Sequence, residues 1–189
     1  MTARIPEAQP PFSQEIQQRL DAIMPSGVPP LSLFTTLARD ERLFKKFMAG
    51  GLLDRGNLSL REREIVIDRI TALSGSEYEW GVHIALFANR AGLDDAEIAS
   101  SAQAGASDTI WSDAESALLM VCDQLHEKCD VDDAAWNAIR GHFSDEAILE
   151  VLMLAGFYRT VSYLTNALRL PLETYGRRFP SKAAPVSVS

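Results

Sequence analysis

Along the chain, apolar positions recur at three- and four-residue spacing, broken by Gly, Pro and capping residues. The clearest case follows Ser59-Leu60-Arg61-Glu62, which has the form of a capping box: serine at the N-cap, glutamate at the third helical position. From there Ile65, Val66, Ile70 and Leu73 keep a helical period until Gly75. A second helix is predicted from about Ser76 to Ala91, with Gly92 as its stop. Upstream, the pattern predicts a short helix from Ser13 to Met24, then helical segments over 31–40 and 41–53. Downstream, Asp94 and Asp95 begin another helix, Ser112 repeats the capping-box form, Asp132 starts a further helix and Ser144 a long apolar one. Pro171 closes that segment, and a final short helix to Phe179 is expected. No run of alternating β-branched residues occurs, so the predicted class is all-α.

Pro6, Pro10 and Pro11 make residues 1–12 an extended arm. Residues 13–180 are expected to form a single helical domain, and 181–189 a flexible polar tail. The stretches 59–91 and 144–170 share a Ser start, an apolar helix, a Gly and a second helix, a pattern that suggests an internal duplication of a helix pair.

Composition narrows the function classes. The net charge is −8, from 26 acidic and 18 basic residues, which argues against nucleic acid and against an anionic membrane as partner. No apolar run approaches the ~20 residues needed to span a bilayer, and the Pro-rich N-terminus lacks the apolar core of a signal peptide. Cys122 and Cys129 are seven residues apart, about 10 Å along a helix axis and too far for a disulfide. Both read as free thiols of a reducing compartment, and the expected location is cytoplasmic.

Chemistry concentrates on the second helix of the first pair. Ser76, Glu79 and His83 lie on one face, since residues three, four or seven apart share a stripe. Glu79 and His83 form an i, i+4 pair in which the carboxylate can fix the ring tautomer and raise its pKa. Glu64, on the preceding antiparallel helix, brings a second carboxylate towards the same ring, the usual arrangement for acid/base work. Ser76 sits one turn below Glu79 and can bond it or a substrate oxygen. A lone Glu–His pair is also a common surface contact. Glu64, Glu79 and His83 can supply three metal ligands, but a carboxylate-rich bundle site needs Glu-x-x-His on two helices. Here the spacing is Glu-x-x-x-His and occurs once, so no metal is assigned. Trp80 either walls a pocket or packs in the core, Tyr78 points away from the stripe, and Tyr158 and Tyr163 reach the pocket only if the late helix packs against it. Arg61, Arg63 and Arg69 are either attractors of an acidic substrate or exposed helix charges.

The stretch from Arg61-Glu62-Arg63-Glu64 through Glu77-Tyr78-Glu79-Trp80, His83 and Ala91-Gly92-Leu93 resembles the carboxymuconolactone decarboxylase family, which also contains the alkylhydroperoxidase D proteins. The redox branch of that family carries Glu, eleven residues, Cys-x-x-Cys, three residues, His. On this chain the pattern falls on Glu64, Ser76, Glu79 and His83 with every spacing kept and both cysteines replaced. Peroxide reduction needs a low-pKa thiolate and a resolving thiol, so the resemblance without its cysteines implies no thiol peroxidase.

The decarboxylase branch works without metal or organic cofactor. It implies an alkylhydroperoxidase D-like bundle, a homo-oligomer (trimer or hexamer), and a small carboxylated lactone or related oxygenated acid as substrate. In that reading His83 is the acid/base, Glu79 its orienter or proton relay and Glu64 a proton-shuttling carboxylate, with Ser76 and Trp80 at the substrate. The division of tasks between the two glutamates is left open. The other class is a non-catalytic family member that binds a small molecule or a partner.

Overall fold

The computed structural model describes residues 3–25 and 27–181. It contains nine α-helices and no strand among those residues. In chain order they are α1 (Gln14–Ile23), α2 (Ser32–Leu37), α3 (Glu41–Ala49), α4 (Leu60–Leu73), α5 (Glu77–Ala91), α6 (Asp95–Ala102), α7 (Asp113–Lys128), α8 (Asp133–Arg140) and α9 (Asp145–Leu168). Capping boxes form at Ser59–Glu62, Asp94–Glu97 and Ser112–Glu115, in each of which side chain and backbone satisfy one another reciprocally. Gly92 ends α5 at φ 69°, a left-handed turn that suits glycine.

Helix α4 is the hub. It packs against α5, α6, α7 and α9, and every residue from Glu64 to Thr71 is buried. A helix enclosed on all sides has no solvent face, so its charged residues must find partners inside. Arg69 meets Asp123 at 2.6 Å and the Ser101 carbonyl at 3.0 Å. At the open end of α4, Arg61 reaches Glu97 at 2.5 Å, Glu115 at 2.6 Å and the Gly92 carbonyl at 2.7 Å. It therefore ties α4 to α6, α7 and the end of α5. Arg63 donates to the Leu53 carbonyl at 3.0 Å. All three arginines are thus engaged in holding helices and a loop together, and none lines the cavity described below.

Two sequence expectations change. The second helix pair is absent: α9 runs unbroken for 24 residues, with Gly156 inside it, so the Ser–helix–Gly–helix pattern does not mark a repeat. A glycine costs a helix about 1 kcal/mol, which the 24-residue length and packed inner face absorb. The final short helix is also absent. Residues 171–181 form a strap across α5, because Pro171, Gly176 and Pro180 oppose a helix. Glu173 anchors the strap by accepting from the Tyr78 hydroxyl at 2.5 Å and the Ser32 amide at 2.8 Å. The Arg177 amide donates to the Gly81 carbonyl at 3.0 Å, and Phe179 packs on Trp80 with ring centroids 5.1 Å apart. The Pro-rich arm over residues 3–12 carries no helix; of the expected tail only Ser181 falls within the described residues.

Length and hydropathy alone would let α9 cross a membrane, contrary to the sequence expectation, although 44% of its most apolar window is buried inside the protein. The fold makes one local prediction. A methyl group at Gly81 would run into the Arg177 backbone. Gly81→Ala should therefore lift the strap and cost about 1–3 kcal/mol despite alanine's better helix propensity. Thermal melting and trypsin cleavage at Arg177 and Arg178 measure this; an unchanged melting temperature and unchanged cleavage would contradict the strap.

Candidate active site

The α4–α5 hairpin turns tightly through Gly75, with φ 65°, and sets the middle of one helix against the middle of the other. Glu64 Oε2 lies 2.7 Å from His83 Nδ1, and Glu79 Oε1 lies 3.5 Å from His83 Nε2. A carboxylate therefore stands at each ring nitrogen, with all three side chains buried. The edge of the His83 ring system is closed by Tyr158, perpendicular to it at 5.1 Å, and by Phe87 at 5.2 Å. Burial pulls the histidine pKa down, but the charge and hydrogen bond of Glu64, followed by those of Glu79, outweigh it and raise it to about 10. The raised pKa favours the imidazolium form of His83 at neutral pH.

The two glutamates thus take unequal places. The i, i+4 geometry led to Glu79 as the ring's first partner, yet the short bond comes from Glu64. A carboxylate on a facing helix can approach a ring nitrogen head-on, whereas two side chains rising from one helix run nearly side by side. Glu79 keeps one oxygen, Oε2, buried with no hydrogen-bond partner.

Glu79 and His83 form one wall of a cavity of about 390 Å³ between α5, α9, α3 and the loop after it, and the end of α1. The rest of the lining is mostly apolar, with Phe34, Phe47, Leu52, Phe87 and Phe157 prominent. Leu52 holds a left-handed φ of 47°, which costs a residue with a Cβ about 1–2 kcal/mol. No Lys or Arg lines the cavity among the described residues, and Asp54 adds a further acidic group. Tyr158 also lines it, and burial, then the charges of Glu79 and Glu64, hold its phenol protonated.

Ser76 and Trp80 do not reach this space. Ser76 is the N-cap of α5: it accepts from the Glu79 amide at 3.3 Å and pairs with the Thr165 hydroxyl at 2.7 Å, fully buried. Trp80 faces the strap and donates to the Ser101 hydroxyl at 3.3 Å. Both act on structure, Ser76 by starting the helix that carries Glu79 and His83. Tyr78 holds the strap. Cys122 is buried, its thiol pKa pushed up by desolvation, and Cys129 is exposed at the end of α7; neither lines the cavity.

Asp68 is a member of the site that the sequence reading did not single out. It lies one turn after Glu64, is 1% exposed, and neither of its oxygens has a partner. Burial, then the charge of Glu64, push its pKa well above the carboxylate range, with only partial opposition from His83. That shift favours the protonated form of Asp68 behind the Glu64–His83 pair. The available signal was a carboxyl inside the run Ile65-Val66-Ile67-Asp68-Arg69-Ile70, four residues after Glu64.

The raised histidine pKa fixes a stability trend. A folded-state pKa above the unfolded value of about 6.5 contributes stability below the unfolded pKa and loses it as pH rises through the folded one. Stability should therefore fall between about pH 7 and about pH 10, by on the order of 1 kcal/mol per pH unit. Denaturant unfolding at stepped pH checks this; the slope should flatten in His83→Gln, and equal slopes in the two proteins would refute the assignment.

The sequence model of the carboxymuconolactone decarboxylase family matches residues 41–121, the stretch from α3 into α7 that contains Glu64, Glu79 and His83. No curated protein matches the chain. Among solved structures, an uncharacterized peroxidase-related protein from Silicibacter sp. TM1040 superposes with a TM-score of 0.79 at 16% identity, over 95% of this chain and 99% of that one. An alkylhydroperoxidase AhpD core protein from Ralstonia eutropha JMP134 gives 0.74 at 18% identity, over 90% and 93%. The debrominase Bmp8, as a cysteine-to-alanine variant in complex with 2,3,4-tribromopyrrole, gives 0.71 at 13% identity, over 93% and 94%. At these identities the likeness is one of fold. Residues 41–121 are thus similar to the carboxymuconolactone decarboxylase family, and the chain as a whole has the alkylhydroperoxidase D-like fold.

Proposed function

We propose that this protein is an acid/base enzyme of the lyase or isomerase type that moves a proton at carbon on a small, ring-sized, largely apolar oxygenated substrate. The observation that carries the reading is Glu79 Oε2, a carboxylate oxygen with no partner, in a residue that walls an apolar cavity with a histidine imidazolium behind it. A group so placed can exchange a proton with a bound molecule, and His83 Nε2, 3.5 Å from the other Glu79 oxygen, can replenish it. Glu64 holds the imidazolium in place through Nδ1. No redox thiol is needed, in keeping with cysteines that stand away from the cavity.

The cavity size suits a lactone or a substituted five-membered ring. That a debrominase of this fold has been seen with tribromopyrrole supports the same class of flat, apolar ring. The lining also shapes the decarboxylase version of this chemistry. A substrate carboxylate would enter a site that no lysine or arginine lines among the described residues, beside Glu79 and Asp54, and would lose its hydration there. Carbon–carbon cleavage relieves that charge: carbon dioxide leaves, the electron pair stays on the ring carbon and delocalises into the lactone carbonyl, and a proton from the Glu79–His83 pair quenches it. A substrate with one carboxylate fits this lining better than one with two.

The test is turnover on a panel of neutral, singly and doubly carboxylated lactones. It is followed by carbon dioxide release, including from 4-carboxymuconolactone, and by exchange of substrate C–H for deuterium from solvent. Glu79→Gln and His83→Gln should each lower the rate about 10²–10⁴-fold with the helical circular dichroism unchanged. Substrates that stabilise the protein against heat with neither turnover nor exchange would instead make it a non-catalytic binder.

A further inference from the structure

One stretch of the cavity wall is not helical. Gly51, Leu52, Leu53 and Asp54 line the cavity in succession from the loop between α3 and α4. The other lining residues sit within α1, α2, α3, α5 and α9 or at their caps. Residues 53–57 are exposed while Leu53 and Asp54 also border the cavity, so a single layer of chain stands here between the cavity and solvent. Leu52 keeps its left-handed φ of 47° within that layer. Strained backbone persists only where its surroundings over-determine it, and it collects at ligand clamps and switches.

Three contacts hold the loop. Its start packs on Phe157, where a Cβ at Gly50 would come within 3.0 Å of the ring. Its end is held by Glu150 of α9, which accepts from the Asn57 amide at 2.6 Å and from the Asn57 side chain at 3.0 Å. In the middle, beside the strained residue, Arg63 Nη1 donates to the Leu53 carbonyl at 3.0 Å. The same guanidinium has a second partner. Its Nε lies 3.4 Å from Glu64 Oε1, while Glu64 Oε2 meets His83 Nδ1 at 2.7 Å. Adjacent residues on a helix do not face each other, so the contact needs the reach and the fork of an arginine. Glu64 is bracketed by a guanidinium and an imidazole, one on each oxygen. Of the three anchors of the loop, only Arg63 bonds to the Glu64–His83 pair.

We propose that Arg63 is a positioning residue that latches the loop over 51–57 to the Glu64 carboxylate, so that movement of this cavity wall is felt by His83. With the loop closed, the guanidinium is fixed between the Leu53 carbonyl and Glu64, and Glu64 holds the ring whose Nε2 faces Glu79. When the loop swings out, the Leu53 carbonyl leaves and the guanidinium is no longer fixed between two partners. The charge that Glu64 divides between its oxygens is then redistributed, and with it the strength of the bond to Nδ1. The value of the latch to catalysis rests on the reading of His83 and Glu79 as the reacting pair. The latch itself is a property of the protein without substrate.

Two readouts on the ¹⁵N-labelled protein test this, and neither needs turnover. The Nδ1–H resonance of His83, identified by its loss in His83→Gln, reads the bond to Glu64. Trypsin cleavage after Arg55, followed by mass spectrometry, reads opening of the loop. Glu150→Ala removes the far anchor, which bonds to no member of the ion pair. It should speed cleavage roughly 10-fold or more and shift the His83 resonance. Arg63→Met should also speed cleavage and shift the resonance, with the helical circular dichroism unchanged. Adding Glu150→Ala to Arg63→Met should speed cleavage further and leave the resonance where Arg63→Met put it, because the connection is already cut. Faster cleavage in Glu150→Ala with an unmoved His83 resonance would overturn the proposal, and this comparison decides even if Arg63→Met does not fold. A Glu150→Ala shift that persists in full in the Arg63→Met background, or cleavage unchanged in both single variants, would overturn it as well.

Discussion

Helix α4 has no outside. Four helices enclose it, yet it carries Glu64, Asp68 and Arg69 among its buried residues, and each must be neutralised within the protein. An unpaired buried charge is costly enough to dictate what its neighbours are. The arginine takes Asp123 from α7 and Glu64 takes His83 from α5, while burial and the charge of Glu64 raise the Asp68 pKa and favour its neutral form. The candidate site is one product of this requirement. The pairing that lets α4 sit in the middle also holds a histidine charged, next to a second carboxylate, at the wall of a cavity.

Ser76 and Glu79, at the two positions where the resemblance to the redox branch places cysteines, have separate surroundings. Ser76 keeps the helix start that a small polar residue can cap, and points into the packing against α9. Glu79, one turn on, puts a carboxyl group on the cavity wall. The cavity's other walls come from the end of α1, the segment 31–54 and α9, with Phe34, Phe47, Leu52 and Phe157 covering the His83 site. The large apolar side chains left uncovered on α9 belong to a different face of the protein.

What could be read in advance was local. Capping boxes at Ser59 and Ser112 and the stop at Gly92 depend on residues within a turn of one another, and they placed α4, α5 and α7 closely. Glu64, Glu79 and His83 were also legible as a set, because the hairpin spacing brings them together. Distances across helices were not. Whether Glu64 or Glu79 would hold the ring closely depends on how α4 packs, and Tyr158 joins the site only because α9 packs against both helices. Asp68 was hidden by its surroundings: a carboxyl among isoleucines looks like the solvent face of a helix until that helix is seen to have none. The strap over 171–181 failed for a related reason, since its conformation is set by contacts with Gly81, Glu77 and Trp80 on a helix ninety residues earlier.

The central claim is that His83 is held as an imidazolium between two carboxylates, and ring-nitrogen NMR of the ¹⁵N-histidine-labelled protein measures it directly. Comparison with His83→Gln assigns its signals. Both His83 nitrogens should be protonated at neutral pH, with the proton lost only as pH approaches about 10. A His83 ring that is neutral at pH 7, or that titrates near the ordinary value of about 6.5, would contradict the charge arrangement on which the proposed chemistry depends.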